Sequence, residues 1–599
     1  MDKSRNVYEL EKPEYEKLLR ENITKSYRKS DEQSVSNVNQ ELNDISAKLE
    51  IGDRIESTAR RLASIPLNDH KENFQNNPKC RLLNPAKNNL GLISKQVLDR
   101  VNNSIRSQTN ANQWRNTRSV IDWFSGIEDK SQHTFLIFDI VDFYPSISEA
   151  LLKLSLDYAR QFTTISDEGI EIIMHSRKTL LFSNNEPWVK RGNSPMFDVA
   201  MGSYDGAEVC ELVGLYIIHK LTSAYPNGNI GLYRDDGLAV FKNMSARSLD
   251  KMRKDFSKII GELGLQITAQ SNLKIVNYLD VTLNLSTGKF CPYRKPDNYL
   301  LYINAKSNHP PSIIKHLPAT ISTRISSLSC DADEFNKASR VYNDALKTSG
   351  YRECLQYARN NNQTSHRRRN RPRNIIWFNP PYSENVQTNI ASSFLRLIDK
   401  HFPKSHVLHK IFNRSNVKVS YSCTGNMSSI IKSHNAKILA NSDTRAESKS
   451  CNCRNKDLCP LDGACLVNNI VYKATVTTTS GETKVYIGMT EHSFKTRYNN
   501  HKLSFKHRKH SHDTVLSKYI WDQRDKNTDF SIKWSIVTRA SSYRGNPSRC
   551  NLCLTEKLCI LSADRSTLLN KRSELITKCR HENKFYAANQ KQDRSNRPP

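Results

Sequence analysis

Long apolar runs are missing from this sequence. No stretch approaches the roughly 20 consecutive apolar residues that a membrane-spanning helix needs, so a membrane role is not expected. The N-terminus, Met1-Asp2-Lys3-Ser4-Arg5-Asn6, lacks the apolar core of a secretory signal. No repeat of solenoid length is present. Acidic residues are short: 60 Asp and Glu stand against 90 Lys and Arg, a formal net charge of +30. A surplus of that size argues for a polyanionic partner and says nothing about fold. A disulfide scaffold is not expected either, because such scaffolds are small and secreted. Of the 14 cysteines, six are scattered through the first two thirds and read as reduced thiols. Eight crowd between Cys451 and Cys579 and read as metal ligands in a reducing compartment.

At 599 residues the chain is too long for one core. Its composition changes along the length. Residues 1–75 carry apolar positions at helical spacing, as at Tyr15, Leu18 and Leu19. Residues 76–300 hold short apolar runs and acidic motifs. Residues 301–358 return to helical periodicity after His309-Pro310-Pro311. Residues 359–374 form an Asn-rich then basic linker, His366-Arg367-Arg368-Arg369-Asn370-Arg371-Pro372-Arg373. That run reads as a nuclear signal or a nucleic-acid clamp, or equally as a solvated linker. Residues 375–445 contain Trp377-Phe378-Asn379-Pro380-Pro381-Tyr382, to which chemistry assigns no role. Residues 446–590 hold the eight clustered cysteines.

Two acidic motifs carry the first candidate site. Asn229 to Phe241 reads as a hairpin with Asp235 and Asp236 at its tip. Upstream, Thr134-Phe135-Leu136-Ile137-Phe138-Asp139 reads as a buried strand ending at Asp139, with a break at Pro145. Neighbouring carboxylates repel unless a cation lies between them. Hard oxygen ligands suit Mg²⁺. One strand-end carboxylate and two hairpin carboxylates are the set that two-metal nucleotidyl transfer uses, with the ions about 4 Å apart.

These residues resemble a known family. Asp139-x-x-x-x-Tyr144 and Tyr233-Arg234-Asp235-Asp236 look like the first and third palm motifs of reverse transcriptases. Phe197-Asp198-Val199-Ala200-Met201-Gly202-Ser203-Tyr204-Asp205-Gly206-Ala207-Glu208 resembles the intervening motif of Penelope-like retroelements. So do Leu82-Leu83-Asn84-Pro85-Ala86-Lys87 upstream and Tyr278-Leu279-Asp280-Val281-Thr282-Leu283 downstream. The resemblance implies an α+β multidomain protein. A right-hand polymerase of palm, fingers and thumb would be followed by a small α/β nuclease with zinc-binding cysteines. It implies two Mg²⁺ on Asp139, Asp235 and Asp236. Nucleotide contacts would come from Arg81 and Lys87, and Tyr144 would exclude the ribose 2′-hydroxyl. Tyr144 thereby disfavours an RNA-templated RNA polymerase. The chain starts inside the block where family members carry further sequence, which reads as a truncated N-terminus.

A second site is expected at the C-terminal end. Val471 to Val476 and Lys484 to Gly488 flank the turn Ser480-Gly481 and read as a hairpin. A helix follows with Arg497 and His501 four apart on one face. This set, with Glu556 and Asn570, resembles the GIY-YIG endonucleases fused to Penelope-like reverse transcriptases. Ile470 stands where the generic first motif has glycine, and Tyr472 is kept. The resemblance implies phosphodiester hydrolysis. Tyr472 would position or deprotonate the attacking water beside Tyr486. Arg497 would stabilise phosphorane charge, and Glu556 would hold one Mg²⁺. His501 would move a proton, with a pKa near operating pH. Cys451, Cys453, Cys459 and Cys465 read as a Zn²⁺ set. Cys550, Cys553, Cys579 and His581, or His501 and His507, are open as further ligands. The implied partners are an RNA template, a target DNA and deoxynucleoside triphosphates; the implied compartment is the nucleus, with the cytoplasm as alternative. The rival reading is a truncated or domesticated non-catalytic nucleic-acid-binding protein. Neither the template and target sequences nor the oligomeric state is written in the sequence.

Overall fold

A computed structural model describes residues 8–49, 62–67, 74, 78, 80–85, 90–184, 186–295, 300–358, 375–386, 388–422, 427–439, 451–455, 457, 459–540, 542, 550–571, 579 and 581. Lys87 and the basic run from His366 to Arg373 lie outside them. The structure is mixed α/β. Its contacts divide it into two units, Met1–Asn110 with Asp142–Tyr216 and Thr444–Pro599, and Ala111–Val141 with Ile217–Asp443. No described helix is long and apolar enough to cross a membrane.

The second unit is built on a five-stranded sheet. In spatial order its strands are Asn112–Gln113, Asn229–Tyr233, Asp236–Lys242, His133–Ile140 and Ile267–Leu273. The first pair is parallel and the rest are antiparallel. His133–Ile140 is buried along most of its length, which is why its Phe and Ile residues run almost without polar interruption. Phe135 packs on one face with Trp114, Phe124, Val240 and Tyr278. Phe138 meets Phe256 edge to face, with ring centroids 5.7 Å apart. Phe256 belongs to the helix Ala246–Glu262, capped by Ser245 and burying Leu249, Met252, Phe256 and Ile260 at helical spacing. Each such aromatic contributes roughly 1.5–3 kcal/mol by burial. The strand runs one residue past Asp139, to Ile140, and Pro145 sits inside the short helix Phe143–Ser146.

Two glycines allow the hairpin to close on these rings. A Cβ at Gly237 would lie 2.1 Å from the Phe138 ring, and one at Gly231 would lie 2.3 Å from Trp114. Beyond the sheet come a three-stranded meander, Ile275–Tyr278, Val281–Asn284 and Phe290–Pro292, and two helices, Pro311–Ser327 and Ala332–Thr348. The helices share a core of Ile321, Ile325, Phe335 and Leu346. Helical periodicity expected in residues 301–358 takes this form.

In the first unit, the N-terminal helices Lys12–Ser26 and Glu32–Lys48 bracket a short strand, Tyr27–Lys29. A separate antiparallel sheet near the C-terminus places Ile470–Thr478 between Thr483–Thr490 and Phe530–Arg539. Alternate residues of its central strand face opposite sides. Ile470, Tyr472, Ala474 and Val476 pack with Phe494, Leu516 and Ile520. These come from the helices Phe494–Lys506 and Val515–Asp525. Val471 faces the other way, into a core with Leu552 and Ile560 of the helix Asn551–Ser562. Leu42, Leu90 and Ile172 share that core.

Candidate functional sites

In the five-stranded sheet, Tyr233 pairs with Asp236, leaving Arg234 and Asp235 as a two-residue turn. Arg234 takes a left-handed φ of 55°, as a tight hairpin demands. Asp139 is the register partner of Asp236 on the neighbouring strand. Directly opposed residues share a face, with Cα atoms about 4.5–5.5 Å apart. Ile140 N donates to Asp235 O at 3.0 Å, tying the turn to the end of the Asp139 strand. The three carboxylates therefore stand at one end of the sheet, where the Asp139 strand stops and the hairpin turns. Asp139 and Asp235 are exposed and Asp236 is half-buried. The Tyr278 hydroxyl donates to Asp236 O at 2.6 Å and braces the hairpin from below. Burial first, then the Asp236 charge, raises that phenol well above its ordinary pKa.

Among the described residues, the groups that bring three or more donor atoms within 4.8 Å of one another are both cysteine sets. The carboxylate set is thus an open arrangement. That fits Mg²⁺, which takes one or two protein carboxylates and draws its other ligands from water and substrate phosphates.

Arg81 and Tyr144 lie in the other unit. Arg81 is half-buried and its backbone N donates to Pro66 O at 3.1 Å. Tyr144 is half-buried, and a Cβ at Gly206 would lie 3.7 Å from its ring. The acidic residues of the Phe197 to Glu208 block are occupied within the unit. Asp205 is fully buried against Arg177. Asp198 accepts from Tyr27 at 2.6 Å and from Lys190 at 3.2 Å, and Glu208 pairs with Lys95. These pairings were not legible in the sequence, because their partners are distant in the chain.

The C-terminal sheet brings four of the expected residues together. Tyr472 is fully buried. Its hydroxyl lies 2.8 Å from His501 Nε2 and accepts from Arg497 Nε at 3.0 Å. A guanidinium only donates. The buried phenol proton therefore needs an acceptor, and His501 Nε2 supplies it, so the imidazole carries its proton on Nδ1. Tyr486 joins the cluster, its ring centroid 6.5 Å from that of Tyr472 and 6.0 Å from that of His501. Gly488 is the register partner of Tyr472, and a Cβ there would lie 2.6 Å from the Tyr472 oxygen. The glycine makes the room into which the phenol points. Asn570 holds the outer edge of the same strand: its Oδ1 accepts from Ile487 N and its Nδ2 donates to Ile487 O, both at 2.8 Å.

Burial raises the Tyr472 phenol above its ordinary range, as do the Tyr486 oxygen and the Glu556 charge, against the pull of Arg497. Burial, and then the Arg497 charge, pushes His501 down to about 3. This corrects the expectation that His501 titrates near operating pH. It is neutral there, and its part is to accept the Tyr472 hydrogen bond. Glu556 is half-buried on the helix Asn551–Ser562.

The cysteines separate into two sets. Cys451, Cys453, Cys459 and Cys465 form one; Cys550, Cys553, Cys579 and His581 form the other. Neither includes His507, nor His501, which is committed to Tyr472. In the first set the sulfurs of Cys451 and Cys459 are 3.7 Å apart, and Cys465 lies 3.6 Å from both Cys451 and Cys453. A tetrahedral zinc with bonds of about 2.3 Å to sulfur separates its sulfurs by about 3.8 Å. Burial pushes Cys465 up to about 12. Burial also acts to raise Cys459, but backbone N–H groups of Leu461 and Gly463 and the neighbouring thiols bring it down to about 7.

No family model matches the chain, and no curated protein matches it. Solved structures similar to it include telomerase from Candida albicans in complex with a fragment of telomeric RNA. That match is 11% identical, covers 56% of this chain and 58% of that one, and has a TM-score of 0.38. The RNA-dependent RNA polymerase of a human picobirnavirus matches at 10% identity over 55% of this chain and 74% of that one, with a TM-score of 0.34. Scores this low establish neither a common fold nor an activity.

Proposed function

We propose that the chain is an RNA-directed DNA polymerase joined to a DNA-nicking endonuclease of GIY-YIG type, acting in target-primed synthesis by a Penelope-like retroelement. The observation that supports it most is the register of Asp139 opposite Asp236 with Asp235 tied alongside. Asp139 and the adjacent pair Asp235-Asp236, far apart in the chain, come together at the ends of two neighbouring strands, which a structural role does not require.

In this reading Asp139, Asp235 and Asp236 hold Mg²⁺ for nucleotidyl transfer. When bound, the metal supplies charge neutralisation for the phosphates. Surplus Lys and Arg side chains hold the template RNA and target DNA. Arg81, Lys87 and Tyr144 are the residues that the family resemblance gives to the incoming deoxynucleoside triphosphate. At the second centre, Arg497 presents donors toward a phosphodiester, while the one O–H of Tyr472 stays on His501. With its pKa raised, Tyr472 orients the attacking water and keeps its own proton on the bond to His501. Glu556 holds the one Mg²⁺ of that centre. The 3′-hydroxyl left by a nick is then the primer. The two cysteine sets hold structural Zn²⁺.

Primer extension by the purified full chain tests the reading. Mg²⁺-dependent incorporation of deoxynucleotides on an RNA template is expected. Failure on every template, with retained nucleic-acid binding, would favour the non-catalytic binding protein.

A further inference from the structure

The second cysteine set has a place in the fold that bears on Glu556. Cys550 is the N-cap of the helix Asn551–Ser562, its sulfur accepting from Cys553 N, and both thiols are buried. Glu556 follows Cys553 by three positions, one turn along the same side of the helix. Cys579 and His581 come from a separate stretch of chain. His581 Nδ1 lies 3.4 Å from the Cys550 sulfur, 3.3 Å from that of Cys553 and 3.6 Å from that of Cys579. The sulfurs of Cys553 and Cys579 are 3.5 Å apart. Edges of a tetrahedral zinc site are about 3.8 Å between sulfurs and about 3.6 Å between sulfur and imidazole nitrogen.

The other ring nitrogen completes the picture. His581 Nε2 lies 3.6 Å from Glu491 Oε2, and Ser542 Oγ donates to Glu491 Oε1 at 2.6 Å. A carboxylate that takes the remaining N–H of a metal-binding imidazole fixes its orientation and raises its basicity, and Glu491 stands just beyond hydrogen-bond distance. Glu491 directly follows the strand Thr483–Thr490, which carries Tyr486 and Gly488. The set therefore links the Glu556 helix to the strand beside Tyr472.

The first set is placed differently. Cys465 O accepts from Lys495 N at 2.8 Å, and Val467 O accepts from Phe494 N at 2.9 Å. Lys495 Nζ donates to Asn452 Oδ1 at 2.7 Å. Those bonds hold the start of the helix Phe494–Lys506, which carries Arg497 and His501.

We propose that Cys550, Cys553, Cys579 and His581 bind a zinc ion that positions the Glu556 helix against the strand ending at Glu491, independently of the Cys451 set, which braces the Arg497 helix. Only the consequence for nicking rests on the nuclease reading; the metal assignment and the division of labour do not.

The test uses the full chain, with zinc content measured by elemental analysis and amide hydrogen exchange read by peptide. Wild type should carry one zinc for each of the two sets. Cys579 is exposed, so Cys579→Ser leaves the core intact. That variant should lose one zinc and exchange about tenfold faster or more across 551–562, with 494–506 unchanged. Cys453→Ser should show the reverse pattern. Glu491→Gln keeps every ligand and should leave the second zinc bound but more weakly held than in wild type. Retention of both zincs in Cys579→Ser, or zinc loss with unchanged exchange in 551–562, overturns the proposal. If zinc and exchange behave as expected while Glu556→Gln nicks at the wild-type rate, the positioning site stands and the nuclease reading falls.

Discussion

The two candidate centres are built in opposite ways. At the end of the five-stranded sheet, Asp139 and Asp235 are exposed, and the set is open. At the C-terminal sheet, Tyr472 and His501 are buried and bonded to each other, and Tyr472 also accepts from Arg497. An open acidic set is placed by strand register, and its repulsion is relieved only when a cation lies between the charges. A closed polar cluster is assembled by the fold, and each buried group must find its partner there. Loss of a residue therefore means different things. In the acidic set it removes a ligand and leaves the fold standing. In the cluster it also leaves a buried partner unsatisfied.

The largest effect is expected in the acidic set. Asp139→Asn or Asp235→Asn should reduce Mg²⁺-dependent primer extension by more than about 10³-fold, several kcal/mol of barrier, with nucleic-acid affinity nearly unchanged. A filter-binding assay beside the extension assay checks both halves. Next comes Arg497→Ala, which removes a donor of the kind usually worth 10²–10³ in rate and also strips the Tyr472 oxygen of a partner. Nicking of supercoiled DNA reads it. Gly488→Ala drives a methyl group to 2.6 Å from the Tyr472 oxygen. It should cost about 1–3 kcal/mol in stability and displace the phenol, while extension survives.

The first candidate site was more legible in sequence than the second. A strand, a hairpin turn and three acidic residues are local patterns, and register alone brings Asp139 opposite Asp236. The strand and helix around Tyr472 and Arg497 were legible for the same reason. What the sequence did not show was where the protons and metals go. His501 looked like a titrating group because its ordinary pKa lies near neutrality, and only burial shows that it does not titrate there. The cysteines could not be sorted by spacing, since Cys579 and His581 reach Cys550 and Cys553 across a chain interval that carries no pattern. Gly237 and Gly488 are ordinary glycines until the rings they make room for are placed. Nor does chain order reveal that Leu42, Ile172 and Leu552 share one core.

Two weaker effects sharpen the contrast. Folded His501 has a pKa depressed to about 3, against an ordinary value of 6.5. The unfolded chain therefore binds the extra proton between those values. Stability from this group is full above pH 6.5 and falls by about 1.4 kcal/mol per unit as pH drops through the window toward 3. His501→Gln should flatten that part of the acid dependence, measured as hydrogen exchange across 494–506 in wild type and variant. Tyr278→Phe deletes one hydrogen bond to Asp236 O and should cost only about 1 kcal/mol, with a modest fall in extension and none in nicking.

The most direct test of two separate centres assays one preparation twice. Asp235→Asn and Glu556→Gln are each measured for nicking of supercoiled DNA and for extension of a primer already annealed to RNA. The account predicts that Asp235→Asn nicks at the wild-type rate and does not extend, and that Glu556→Gln extends at the wild-type rate and does not nick. Loss of both activities in either variant, or wild-type nicking by Glu556→Gln, would contradict it.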